Sequence, residues 1–155
     1  MPVQRAKAVD RLYAETRTYD RVLVPDPPLA SALNRRLTEP QFGPFATTPR
    51  RLAAGRRETA EDRLAFLELV DDTEHAWKDV ARAVGDVLQC WEQTGDPETV
   101  RDYDAHVTPA TRDVLERLPA LDTTSRRLAE YEMDEGLDVA VVGIEEFSTL
   151  ERAIL

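Results

Sequence analysis

Two short apolar runs on either side of residues 25–138 place the strongest constraint on the fold of this chain. The first is Val22–Val24, which is followed by Pro25, and the second is Val139–Val142. Neither run alternates apolar with polar residues, and this is the pattern of strands covered on both faces, as in parallel sheets. A helix-start signal follows each run. The sequence therefore predicts an α/β domain in which the two runs are neighbouring parallel strands.

The remaining elements follow from helix caps, prolines and apolar periodicity. Phe45-Ala46-Thr47 is a candidate third strand. Pairs of a capping residue and proline, which favour helix starts, occur at Asp26-Pro27, Thr48-Pro49, Asp96-Pro97 and Thr108-Pro109. Helices are predicted over residues 3–18, 27–37, 49–54, 59–70, 72–94, 123–133 and 147–155.

These elements predict a three-layer α/β fold. We expect one domain over residues 1–155, with a short parallel sheet of about three strands and a large helical insertion at about residues 59–133. The last predicted helix runs to Leu155 without a capping residue. We therefore expect the chain to be a fragment of a longer protein.

Both tryptophans fall on the predicted helix 72–94, which Asp72-Thr73 would cap and Gly95 would end. The helical period places six apolar residues on one face: Trp77, Val80, Ala81, Val84, Leu88 and Trp91. We therefore expect both tryptophans to lie in the core, packed against the predicted helix 59–70.

The charge balance bears on habitat and partners. Thirty acidic residues face twenty basic ones, for a net charge of −10, and Lys7 and Lys78 are the only lysines. This composition is typical of halophilic archaeal proteins, in which salt at 1 M screens charge repulsion within about 3 Å. An acidic protein from a GC-rich genome, where arginine codons displace lysine, is the alternative. The net charge disfavours nucleic-acid binding over the whole surface but allows a local arginine patch.

No complete catalytic site is evident in the sequence. The six glycines are not clustered and no lysine follows a glycine, so a phosphate-binding loop is not expected. His75 and Cys90 would lie about 22 Å apart along one helix, too far to act together. Two histidines and one cysteine make a zinc site improbable. We expect a protein that is not an enzyme and has no cofactor and no metal.

The sequence also bears on the location of the protein in the cell. The first five residues are not followed by the apolar stretch of a secretory signal, and no apolar run is long enough to cross a membrane. The single cysteine excludes an intramolecular disulfide. We therefore expect a cytoplasmic protein without membrane contact.

Charged residues near the strand ends are the candidate contacts, because α/β sheets bind ligands at the carboxyl ends of their strands. Glu145-Glu146 could hold a metal there, although adjacent acids in so acidic a chain are more often solvated surface. Arg50-Arg51 and Arg56-Arg57 could meet phosphate or an acidic partner, or could form a solvated helix end. The predicted contact edge comprises Asp26, Thr47, Thr48, Arg50, Arg51, Glu145 and Glu146.

Three segments resemble the first motor domain of UvrD/Rep helicases, and particularly its degenerate copy in AddB-type helicase-nuclease subunits. Residues 21–37, RVLVPDPPLASALNRRL, resemble a strand and helix of that domain, and residues 47–53, TTPRRLA, resemble its TTFSRLA motif. Residues 140–155, AVVGIEEFSTLERAIL, resemble a third motif, VIVDGFxDFTPxExxLL. The third motif is matched at Gly143, Glu146 in place of Asp, Phe147, Ser148 in place of Thr, and Glu151.

The departures from these motifs imply an inactivated motor domain. The phosphate loop of the family would precede residue 3, where this chain has no counterpart, and Val142 replaces the metal-holding Asp of the third motif. The resemblance implies a role in DNA repair or recombination through a protein partner, such as a helicase or nuclease subunit, and through single-stranded DNA. The alternative is a small acidic adaptor or regulatory protein whose helical insertion binds a partner. A nucleotide-binding enzyme with an unrecognised site is a third hypothesis.

The halophilic composition predicts that stability depends on salt, because salt screens the repulsion among the thirty acidic residues. We expect the melting temperature, followed by circular dichroism, to rise clearly between about 0.1 M and about 2 M potassium chloride. Equal melting temperatures in the two solutions would remove the halophilic interpretation.

Overall fold

A computed structural model of the chain describes residues 2–41, 43–55 and 58–155. The chain divides into two compact units. Unit 1 comprises residues 1–52 and 133–147, and unit 2 comprises residues 53–132 and 148–155. Unit 1 contains the sheet, whereas the described secondary structure of unit 2 is helical.

Unit 1 is built from a small sheet and the helices that precede and connect its strands. Its elements are α1 (Pro2–Thr16), β1 (Arg21–Leu23), α2 (Pro27–Asn34), β2 (Ala46–Thr47) and β3 (Val139–Val141), and α3 (Pro49–Ala54) begins in it. Asp26 is the N-cap of α2, and the two prolines that follow begin the helix, as its sequence predicts.

The three strands form one parallel sheet in the order β2–β1–β3. Val22 is paired with Ala46 on one side and with Ala140 on the other. The prediction that Val22–Val24 and Val139–Val142 are parallel neighbours is confirmed. The predicted α/β class, with a short three-strand sheet and a large helical content, is confirmed as well.

The core of unit 1 lies around β1. Val22, Val24, Leu33 and Phe45 are buried, and apolar residues of α1 and α2 pack against them. Tyr13 of α1 meets the ring of Phe45 edge-on, with the ring centroids 6.0 Å apart. This aromatic contact joins the first helix to the residue that leads into β2.

The prediction that the second apolar run is buried on both faces is wrong. Val139 and Ala140 are only partly buried, and Val141 is 38% exposed. The physical reason is position, because β3 lies at the edge of the sheet and only β1 pairs with it among the described residues. An apolar run marks a strand but does not distinguish a central strand from an edge strand.

Unit 2 consists of helices joined by short turns. Its helices are α4 (Glu58–Asp71), α5 (Trp77–Thr94), α6 (Pro109–Arg117), α7 (Thr124–Glu130) and α8 (Thr149–Arg152), with 3-10 turns at Pro97–Asp102, Asp104–His106 and Leu118–Ala120. Asp96 and Thr108 cap the elements that start at the following prolines, as predicted. α7 ends at Glu130, short of the predicted Met133.

The core of unit 2 is organised by α5. Val80, Ala83 and Val87 are buried on one face of this helix, and they belong to a cluster that includes Leu69 of α4 and Val114 of α6. Gly95 ends α5 in the left-handed conformation with φ 79°, as the sequence predicts. The cluster therefore packs α4 and α6 onto α5.

The prediction that both tryptophans are core residues is wrong for Trp77, which is 67% exposed, and right for Trp91, which is 5% exposed. The predicted start of the helix at Asp72-Thr73 is the source of the error. α5 starts at Trp77, with Ala76 as an N-cap that makes no side-chain hydrogen bond. Trp77 therefore stands at the first position of the helix, beyond the buried stripe.

The two tryptophans give a stability test with its own control. Trp91→Ala removes a buried ring and should lower the free energy of unfolding by about 3–5 kcal/mol. Trp77→Ala should change it by no more than about 0.5 kcal/mol, as at other exposed positions. Urea unfolding followed by circular dichroism measures both. Equal losses for the two variants would contradict the assignment of Trp77 to the surface.

Candidate functional site

The candidate site is the edge of the sheet at which all three strands end. Val24 N donates to Thr47 O at 3.0 Å, and Val142 N donates to Leu23 O at 2.9 Å. These bonds continue the pairing past the strand ends and align the loops that follow β1, β2 and β3. Parallel α/β sheets place their binding groups at this edge.

The loop after β1 carries Asp26, whose carboxylate is exposed. Its Oδ1 accepts a hydrogen bond of 2.8 Å from Leu29 N, which satisfies one of the amide groups left open at the start of α2. Asp26 also lines a cavity of about 550 Å³ between α1 and α2, together with Val9, Leu12 and Arg36. The side chain thus has a structural role as a cap, and its carboxylate remains accessible at the edge.

The loop after β2 carries Thr47 and Thr48, and both are buried, with exposures of 2% and 7%. Thr48 Oγ1 accepts a hydrogen bond of 3.2 Å from Arg51 N at the start of α3. Thr47 Oγ1 makes a long contact of 3.5 Å with Thr48 O. The hydroxyl group of Thr48 therefore stabilises the turn into α3, and both threonines of the predicted contact edge lie in the interior.

The arginines of α3 differ in exposure. Arg50 is half-buried and Arg51 is exposed. The second half of the predicted basic cluster, Arg56-Arg57, lies outside the described residues. Arg51 is therefore the more accessible of the two described cations of this cluster.

The loop after β3 makes a tight turn at Gly143. Its φ of 67° lies in the left-handed region, and Glu146 N donates to Gly143 O at 2.9 Å. The following 3-10 turn, Ile144–Glu146, exposes Glu145 and Glu146, and Ile144 is 49% exposed. Phe147, at 3% exposure, anchors the end of the turn in the interior.

Together with β3, this loop forms a surface that we name the β3 strip. The β3 strip comprises Asp138, Val141, Ile144, Glu145 and Glu146. All five residues are exposed, two of them are large apolar residues and three are acidic. The sequence analysis identified its glutamates but missed Val141, which was predicted to be buried with the rest of Val139–Val142, and made no prediction for Ile144.

A second group of chemically active residues lies in unit 2, around a cavity of about 190 Å³. Asp86, Cys90, Tyr103 and His106 line it, and His106 Nδ1 lies 3.3 Å from Asp86 Oδ2. Within the described part of the chain, no hydrogen bond joins the Cys90 thiol to the imidazole. A thiol nucleophile is activated by a base in hydrogen-bond contact with it, and this contact is not formed between Cys90 and His106 here.

His75 does not lie on the helix that the sequence predicts for it. His75 precedes α5, so it does not share a helix with Cys90 as predicted. His75 lines a different cavity, next to Asp79 and Thr108. The histidine that lines a cavity with Cys90 is His106, and no local pattern connects it with Cys90, because a chain reversal brings the two together.

In unit 2, a charged hydrogen-bonded pair shifts the pKa of Asp122. Arg127 donates two hydrogen bonds, of 2.7 and 2.8 Å, to the carboxylate of Asp122. This charged pair lowers the pKa of Asp122 below its usual value, because it favours the ionised form. The pair braces the turn before α7 and has a structural role.

Within the described ranges, no group of three or more His, Cys, Asp or Glu side chains is arranged to hold a metal ion, and no helix is long and apolar enough to span a membrane. No protein-family model, curated protein or solved structure matches the chain. The resemblance to UvrD/Rep and AddB-type motor domains therefore rests on the sequence motifs of this chain alone.

The turn at Gly143 gives a test of the geometry of the β3 strip. Gly143→Ala should lower the free energy of unfolding by about 1–2 kcal/mol, the cost of a left-handed residue with a side chain. The new Cβ would also lie 3.2 Å from Pro25 Cγ. Gly85→Ala, at an exposed position in α5 with open space around the Cβ, should instead stabilise by about 0.5–1 kcal/mol. Chemical unfolding measures both, and stabilisation by both variants would contradict the turn.

Proposed function

We propose that this chain is a non-catalytic, helicase-like α/β domain that binds a protein partner at the β3 strip, in DNA repair or recombination. The observation that carries the proposal is the composition of that strip. Val141 and Ile144 expose apolar surface between acidic residues at the edge where α/β proteins bind their ligands. Protein interfaces commonly combine an apolar centre with a polar rim.

The helicase-like part of the proposal is supported by the sheet. The motifs in residues 21–37 and 140–155 would form neighbouring parallel strands in a motor domain, and the strands they contain are neighbours here. The third motif carries Val142 in place of the metal-holding Asp, and the non-catalytic assignment rests on this departure. Glu145 and Glu146 of the third motif lie in an exposed 3-10 turn. Among the described residues, they do not form a metal-holding group with other side chains.

The charge at the carboxyl ends of the strands favours a protein partner over DNA. Asp26, Glu145 and Glu146 are exposed at the strand ends, and Arg51 is the exposed cation of the adjacent helix α3. Nucleic acids bind through contacts between phosphates and Lys or Arg, so an edge rich in carboxylates repels them. We therefore assign single-stranded DNA no contact with the β3 strip.

A second candidate function is the adaptor, which would bind its partner through unit 2. The observation that favours it is the exposure of three large apolar residues there. Leu64 is 65% exposed, Leu67 is 54% exposed and Trp77 is 67% exposed. Leu64 and Leu67 are three residues apart on α4, which places them on the same face of that helix.

One pair of matched variants tests both functions. The strip variant is Val141→Ser/Ile144→Ser, and the helical variant is Leu64→Ser/Leu67→Ser; each removes two exposed apolar side chains. The wild-type chain should recover a partner protein from an extract of the organism that encodes it, and the strip variant should lose that protein by at least about tenfold. The helical variant should recover it as the wild type does, once circular dichroism has shown that both variants are folded.

The other outcomes separate the two candidates. If the helical variant alone lost the partner protein, the binding surface would be the exposed face of α4 that carries Leu64 and Leu67, and not the β3 strip. Equal recovery by all three chains would exclude both surfaces as the binding site.

A further inference from the structure

The two outer strands of the sheet, β2 and β3, differ in whether a side chain forms hydrogen bonds with their outward-facing main chain. At the β2 edge, the side chain of Asn34 covers the main chain: Asn34 Nδ2 donates to Ala46 O at 2.9 Å, and Ala46 N donates to Asn34 Oδ1 at 2.8 Å. The amide side chain thus bonds to β2 as a further strand would. Covering an edge in this way prevents another chain from pairing with it.

The β3 edge has no such cover among the described residues. Arg21 N donates to Asp138 O and Val142 N donates to Leu23 O, so the main-chain groups of alternate residues on this strand face β1. The N–H and C=O groups of Val139 and Val141 consequently face away from the sheet. An edge of this kind, next to exposed apolar side chains, is a template on which an extended segment can add as a strand.

The charges around β3 indicate which segment fits. Residues 133–147 contain five acidic residues, all exposed, and no Lys or Arg. These acidic residues are Asp134, Glu135, Asp138, Glu145 and Glu146. The neighbouring cation on the sheet is Arg21, which is half-buried and pairs with Val139.

This negative charge disfavours a second copy of the chain as the segment that pairs with β3. A symmetric dimer formed through β3 would bring the same acidic residues of both copies together, because both partners of a two-fold interface use the same surface. A segment with Lys or Arg would instead place its cations beside the carboxylates at both ends of β3.

We propose that β3 accepts an extended, basic segment of a partner protein as a fourth strand of the sheet. The segment bonds through its main chain to Val139 and Val141, places apolar side chains against Val141 and Ile144, and places Lys or Arg side chains beside Asp138 and Glu145. The inference rests on the proposed function and deepens it, because it names the chemistry of the partner at the same surface.

The probe that tests this is a synthetic peptide of about seven residues that alternates arginine and valine. Fluorescence anisotropy of the labelled peptide measures its binding to the full chain, at two salt concentrations at which circular dichroism shows the chain folded. The arginine peptide should bind, and its affinity should fall as salt rises. A glutamate–valine peptide of the same length should bind at least about tenfold more weakly.

Two changes isolate the main-chain bonds. Methylation of alternate amide nitrogens in the arginine peptide removes donors without changing charge, and one of the two alternate sets should weaken binding by at least about tenfold. Because this change is in the peptide, it does not alter the fold of the protein. Val141→Pro removes an outward N–H of β3 and should have a similar effect, since proline is tolerated on an edge strand.

Each other outcome overturns the inference. If the methylated peptides bound as tightly as the unmethylated arginine peptide, charge alone would attract the peptide to the protein and no main-chain bonds to β3 would be formed. Self-association in sedimentation that Val141→Pro abolishes would identify a second copy as the occupant. Absence of peptide binding, with a partner still recovered through the β3 strip in the extract experiment, would exclude strand addition and leave the proposed function standing.

Discussion

The central position of β1 is the constraint on which the rest of unit 1 depends. Val22, Leu23 and Val24 are fully buried, and this run forms hydrogen bonds on both of its sides. Val22 N and Val24 N donate to the strand on one side, whereas Leu23 O accepts from the strand on the other. Without β1, residues 46–47 and 139–141 would have no common partner, and the loops at the carboxyl edge would not lie side by side. The geometry of the candidate site thus depends on three buried residues that the site does not contain.

The parts of the fold that could be predicted from sequence are those with a local chemical signal. The run Val22–Val24 marks a strand because only cover on both faces accommodates it, and Asp26, Asp96 and Thr108 mark helix starts because each is followed by proline. The start of α5 has no such signal. Ala76 is its N-cap and makes no side-chain hydrogen bond, and the capping residues Asp72 and Thr73 led to a predicted start too far towards the N-terminus.

In the candidate site, too, some features could be predicted from the sequence and others could not. Parallel pairing fixed the edge at which Asp26 and Glu145 lie, so their shared location was predictable. Exposure was not predictable, because it depends on what covers each residue in three dimensions. Thr47, which is polar, turns inward, whereas Val141, which is apolar, reaches solvent at the border of the sheet. The difference between the β2 edge, which is hydrogen-bonded by Asn34, and the β3 edge is a further feature that no sequence motif carries.

The pairing of Val22 with Ala140 has a consequence for how the protein is made. A ribosome adds about 5–20 residues each second, so the side of β1 that will receive β3 stays open for roughly ten seconds after β1 itself has been synthesised. During that interval an apolar strand without its second neighbour can associate with other nascent chains. Long-range pairing of this kind is also slow to form, since the intervening loop must close first. Biosynthesis therefore favours early folding of the intervening helices, which shortens the distance that the last strand must search.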